Sequence, residues 1–171
     1  MSQNSNWAIK LAKGEFAEVL VARYLERKGY VVYTPQTIDK AHAFDILAMK
    51  DKLNLIIMDV KAKAHRTYYP DTGINVTSYN EYQAISRKHN IPVWIAFVDE
   101  ADGKIYGNVL NDTGLLKPVK LKKQYPCVEG PIIYFPLVNM IEVAKLSEDD
   151  TESLRAASRT LRSYPYPSGG A

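Results

Sequence analysis

The stretch FDILAMKDKLNLIIMDVKAKA, residues 44–64, limits most severely what this chain can become. It puts Asp45 at the head of one apolar run. After thirteen residues it puts Asp59 inside a second run, followed by Val60 and Lys61. Two β-forming runs around the short polar turn Lys50-Asp51-Lys52 predict a hairpin of strands, Ala43–Met49 and Leu53–Lys61. Alternate residues of a strand share a face, so Asp59 and Lys61 project together while Met58 and Val60 point the other way. A tight hairpin brings Asp45 alongside Asp59, at one end of a unit whose Ile46, Leu47, Leu55, Ile56 and Ile57 call for burial. Charges in such a place are costly unless they are paired or bind a metal. Two neighbouring carboxylates suit a hard divalent cation that keeps several of its waters, as Mg²⁺ does. The plainer reading is an exposed Asp59–Lys61 edge pair, with Asp45 capping a turn.

Elsewhere the pattern alternates helix and strand. Phe16, Ala17, Leu20, Val21, Tyr24 and Leu25 fall on one face of a helix expected over Gly14–Lys28, with Gly29 as its stop. Glu18 lies at the margin of that apolar arc, whereas Glu15 and Glu26 lie on the polar face. Glu18 is therefore the helix carboxylate able to look toward the sheet; a rim glutamate paired with solvent or lysine satisfies the periodicity equally well. YVVYTP, residues 30–35, reads as a strand, HRTYYPDTGINVTS as loop, and Tyr79–Lys88 as a helix. IPVWIAFVD reads as a buried strand joined through EADGK to IYGNVL. PIIYFPLV is a further strand. Ser147 with three acids behind it marks the start of a helix running to Arg162. The expected order is α-β-β-β-α-β-β-β-α: an α/β chain with a mixed central sheet flanked by helices. A single domain over residues 1–163 is expected, with 164–171 as a mobile tail.

Composition narrows the classes. The chain has 171 residues, 46% hydrophobic and 24% charged, enough for a core without disulfides or structural metals. Its one cysteine, Cys127, cannot form an internal bridge and reads as a packed small residue in a reducing, cytoplasmic setting. No window has signal-peptide or membrane-span character. A net charge of +3 permits nucleic-acid binding without demanding it, so any basic footprint must be local.

An acid on one core strand, followed by acid-any residue-lysine on the next, here Asp45 and Asp59-Val60-Lys61, resembles the PD-(D/E)XK nuclease superfamily. Phe44 stands where proline is commoner, and Asp59 is the shorter of the two acids the motif allows. KGEFAEVLVARYLERKGY is similar to the opening helix of the archaeal Holliday-junction resolvases, in which a lysine-glycine pair precedes a metal-binding glutamate; Glu18 matches it. The resemblance spans roughly Lys13 to Lys61. It implies a restriction-endonuclease-like core and metal-dependent hydrolysis of DNA phosphodiesters. Glu18, Asp45, Asp59 and the Val60 carbonyl would hold Mg²⁺ or Mn²⁺, and Lys61 would act on the attacking water or the transition state. The implied partner is double-stranded or branched DNA, and a two-fold junction would call for a homodimer.

Lys63, His65 and Arg66 follow directly and are candidate phosphate contacts; Tyr68 and Tyr69 add aromatic surface suited to nucleic acid. Lys117, Lys120, Lys122 and Lys123 form a further basic run, and His42 reads as structural. Two other classes remain: a nuclease fold that binds nucleic acid without cutting it, and an interaction module whose acids are salt-bridged.

Overall fold

The computed structural model describes residues 3–35, 43–51, 54–110 and 127–163. Within them the order is α1 (Gln3–Arg27), β1 (Val31–Tyr33), β2 (Ile46–Met49), β3 (Leu55–Ala62), β4 (Asp71–Asn75), α2 (Val76–His89), β5 (Val93–Asp99), β6 (Lys104–Val109), β7 (Cys127–Glu129), β8 (Ile132–Pro136), a 3₁₀ turn Leu137–Asn139, β9 (Ile141–Lys145) and α3 (Glu148–Ser163). His42, the lysines of the 117–123 run and the tail 164–171 lie outside the described residues.

Six strands form a mixed sheet in the order β1-β2-β3-β5-β6-β9. The central β3–β5 pair is parallel and the other pairs are antiparallel. A parallel strand at the centre of a sheet is covered on both faces and must be apolar throughout. VWIAFVD meets that demand. Its Ala96 and Val98 join the core under α1 with Met58, Val60 and Leu20, while Val93, Ile95 and Phe97 join the core under α2 with Ile57, Tyr82 and Ile74. α1 lies on the first face with α3 beside it, and the buried Lys13 of α1 bonds both Glu100 and Ser158 of α3, each at 2.6 Å.

Several expectations need correction. β2 begins at Ile46, not Ala43, so Asp45 stands just before the strand; its backbone N–H bonds the Met58 carbonyl at 3.1 Å, one residue out of step with the ladder. β3 runs Leu55–Ala62 and β1 only Val31–Tyr33. The stretch read as loop contains β4, and PIIYFPLV does not enter the main sheet. β8 instead pairs with β4 and β7 in a second, three-stranded sheet. The main sheet takes β9 in that place. β4 reads as loop because Asp, Gly and Asn, three of its five residues, are poor strand formers, and long-range pairing supplies what propensity lacks. Gly73 is there for close approach: a Cβ would stand 2.5 Å from the Ile133 carbonyl oxygen. α2 starts three residues earlier than its periodicity indicates because the Asn75 side chain caps it, accepting from the Thr77 N–H at 2.9 Å. α3 starts as expected, with the Ser147 hydroxyl accepting from the Asp150 N–H at 3.1 Å.

Candidate active site

The β2–β3 register ends at Ile46 opposite Met58, which leaves Asp45 at the end of the hairpin beside Asp59. Asp59 is buried, 1% exposed, on the α2 side of the sheet. Its Oδ1 accepts from Lys61 Nζ at 2.6 Å and from the Tyr82 hydroxyl of α2. Its Oδ2 is equally buried and has no hydrogen-bond partner among the described residues. The Asp45 Oδ2 accepts from the Val60 N–H at 2.6 Å. Burial first, then the charge of Asp59, pushes the Asp45 carboxyl above the usual aspartate range, against the Val60 hydrogen bond that favours ionisation.

Glu18 reaches the same field from α1. Its carboxyl is raised to about 7, chiefly by burial and next by Asp45, with Lys61 pulling the other way and Asp59 adding a smaller push. Asp45 and Asp59 thus lie beside each other, while Glu18 stands farther out and senses Asp45 more than Asp59. Lys61 is partly open to solvent, 35% of its side chain, beside the fully enclosed Asp59. Glu18 and Asp45 are held where ionisation is uphill, with the buried Asp59 and the partly exposed amine of Lys61 beside them. The arrangement can take up a cation and present an amine at its edge.

The residues that follow β3 are drawn inward. Lys63 donates to the Gly73 carbonyl of β4, with its ammonium 5.6 Å from the Phe97 ring centre. Burial, then the neighbouring Lys61, lowers it to about 8. His65 Nδ1 lies 2.6 Å from the buried Asp99 Oδ2. Arg66 grips the fully buried Asp71 with two hydrogen bonds of 2.6 and 2.7 Å, reaches Glu129 with a third, and stacks 3.7 Å from the centre of the Tyr134 ring. Tyr68 is 86% exposed and meets Tyr69 edge-on. Of the five residues singled out as nucleic-acid contacts, Tyr68 is the one fully presented to solvent.

Tyr82 was not foreseen. It shares a face of α2 with Val76, Tyr79 and Gln83, a signal visible once the helix is begun at Val76. Gln83 donates to the Leu110 carbonyl at 2.9 Å and serves the core. Among the described residues, the three acidic or histidine side chains whose ligand atoms lie within 4.8 Å of one another are a different set, His65, Asp99 and Asp102. Its oxygens are engaged: Asp99 accepts from the Ala101 N–H and Asp102 from the Tyr106 hydroxyl, both at 2.9 Å. That network braces the β5–β6 turn.

No protein-family model matches the sequence, and comparison with curated proteins finds no match. Among solved structures the chain is similar to Hjc, a Holliday junction resolvase from the archaeal hyperthermophile Archaeoglobus fulgidus. The TM-score is 0.54 at 11% identity, over 77% of this chain and 97% of that one. The fold is restriction-endonuclease-like. At that identity the likeness is one of architecture, and it accounts for the mixed sheet with a helix against its β3 end. Among the described residues, no helix is long and apolar enough to cross a membrane.

Proposed function

We propose that this chain is a divalent-metal-dependent DNA endonuclease of the PD-(D/E)XK superfamily, selective for branched or junction DNA. The observation that carries the reading is the orphaned Asp59 Oδ2. A carboxylate oxygen with no partner inside a core costs free energy unless a ligand takes it up. Asp45 stands beside it, held above its ordinary range first by burial and then by the Asp59 charge. These are hard oxygen donors and fit Mg²⁺ or Mn²⁺. Asp45, Asp59 and Glu18 would hold the ion, together with the Val60 carbonyl. The Ile57 and Lys63 N–H groups bond toward β5, so the backbone groups of Val60 are turned toward Asp45. When bound, the ion would acidify a water and offset charge on the scissile phosphate.

The chain's own groups set up the rest. Tyr82 and Lys61 fix the Asp59 rotamer through Oδ1, leaving Oδ2 to the ligand. Lys61, at the solvent edge, is placed to orient the attacking water or to stabilise the developing oxyanion. Tyr68 offers a stacking surface, while Lys63, His65 and Arg66 shape the wall behind the site and could meet phosphates only by giving up internal bonds. Cutting both strands of a symmetric junction requires two copies of the chain.

The test is incubation of the purified protein with four-way, flap, linear duplex and single-stranded DNA, with and without Mg²⁺. Metal-dependent cleavage should appear and should vanish in Asp45→Ala and Asp59→Ala. Wild-type cleavage by either variant refutes the assignment.

A further inference from the structure

The first turns of α1 carry apolar side chains that no described residue covers. Lys13 is tied to Glu100, immediately beyond the C-terminal end of β5, and Glu18 senses Asp45 and Lys61 at the same end of β3. From there α1 runs back along the sheet to Arg27 and the start of β1. The residues before Lys13 therefore overhang the strand ends at which Asp59 and Lys61 lie. In this overhang Trp7 is 68% exposed and Leu11 51% exposed, with Ala8, Lys10 and Ala12 also exposed. At 100° per residue, Trp7 and Leu11 fall within about 20° of the direction of Glu18, and at 1.5 Å per residue they stand about 16 and about 10 Å from it along the helix. One stripe of α1 thus runs from the acid site to an exposed tryptophan.

A tryptophan and a leucine exposed on the N-terminal turns of α1 mark a binding surface. Three turns of one helix offer at most a few hundred Å², well short of the roughly 800 Å² per partner of a stable protein interface. Residues 1–14 contain two lysines and neither aspartate nor glutamate, so nothing there repels a polyanion. Lys10 sits exposed one turn from Trp7. About 16 Å is roughly five nucleotide steps of 3.4 Å. Apolar side chains of this kind insert at broken base stacks, and tryptophan stacks on any base.

We infer that Trp7, backed by Leu11, is a nucleic-acid contact that stacks on an unpaired or unstacked base of the DNA substrate, about five nucleotides from the Glu18 edge of the acid site. This rests on the endonuclease reading and adds to it the feature recognised: a discontinuity in the base stack. The chemistry is stacking, so recognition is of structure and not of sequence.

The experiment measures binding in Ca²⁺, with no cleavage required. Full-length wild type, Trp7→Ala, Trp7→Phe, Leu11→Ala and, as a control at an exposed apolar residue elsewhere, Val138→Ala are titrated into a four-way junction carrying 2-aminopurine at the branch and into a duplex of equal length. Trp7→Ala should weaken junction binding by about tenfold or more and duplex binding by less than about threefold. It should also abolish the 2-aminopurine response, and Trp7→Phe should restore most of both. Junction affinity and 2-aminopurine response in Trp7→Ala equal to those of Val138→Ala overturn the inference while leaving the endonuclease reading intact. A wild-type chain that binds no DNA overturns both. Sedimentation without DNA gives the remaining arm: if Trp7→Ala turns a dimer into a monomer, the helix is a contact between copies and the inference is wrong.

Discussion

Glu18→Gln should make the metal-free protein more stable and a poorer metal binder at once. The Glu18 carboxyl moves from 4.5 to about 7 on folding, first because it is buried and then because Asp45 repels its charge. The folded chain therefore holds this proton more tightly than the unfolded chain does. The associated stability is fully present below pH 4.5 and is lost as pH rises through about 7. The full shift corresponds to about 3.4 kcal/mol at 1.36 kcal/mol per unit. Glu18 is only half-buried, so solvent screening reduces this to about 1.5 kcal/mol. Glutamine keeps the shape and cannot ionise. The variant should match wild type at pH 4.5 and exceed it by about 1.5 kcal/mol at pH 8, a rise of roughly 0.7 M in urea midpoint for a slope near 2 kcal/mol/M. Urea titrations in EDTA across pH 4.5–8 measure this, with Glu15→Gln, on the polar face, as the control. Added Mn²⁺ should then reverse the ranking, stabilising wild type more than the variant, because only the wild type offers the third carboxylate. A wild-type-minus-variant difference that stays flat with pH, or Glu15→Gln behaving as Glu18→Gln does, would refute the placement of Glu18 at the acid site.

Lys61→Ala should lose about a hundredfold or more in single-turnover cleavage while binding DNA within several-fold of wild type, because an interaction made in the transition state contributes little to ground-state affinity; normal cutting once bound would reduce Lys61 to a phosphate anchor. Tyr82→Phe removes a donor to the buried Asp59 and should cost about 1–2 kcal/mol, read from urea unfolding at pH 7; unchanged stability would mean the hydroxyl does not hold Asp59. Arg66→Ala leaves Asp71, fully enclosed and acidic, without its two-pronged partner and should destabilise by about 2 kcal/mol, measured the same way. If that variant unfolds like wild type and instead loses DNA affinity with a flatter salt dependence, Arg66 serves the substrate and not β4.

How far the sequence could be read depends on how far apart the decisive partners lie. Asp45 and Asp59 were legible because a hairpin is local: the turn length and the alternation of apolar residues set the register, and the register brings the two acids to the same end of the hairpin. The face of α1 was legible for the same reason, since Glu18 sits at the margin of an arc that Ala17, Leu20, Val21 and Leu25 do bury. What could not be read depends on β4, whose partner β8 begins 57 residues after it ends, from Asn75 to Ile132. Without β8, DTGIN has no reason to be extended, and Arg66 and Lys63 look like free cations beside a metal site. With it, the Gly73 carbonyl draws Lys63 inward and Asp71 captures Arg66. The same absence moved the start of α2 and hid Tyr82. The misreadings of Lys63, Arg66 and Tyr82 thus trace to one long-range strand pair, and the hairpin that carries the acids does not depend on that pair for its register. Arg66→Ala should accordingly loosen the second sheet while leaving the Asp45–Asp59 pairing in place, because the two are built from contacts of different range.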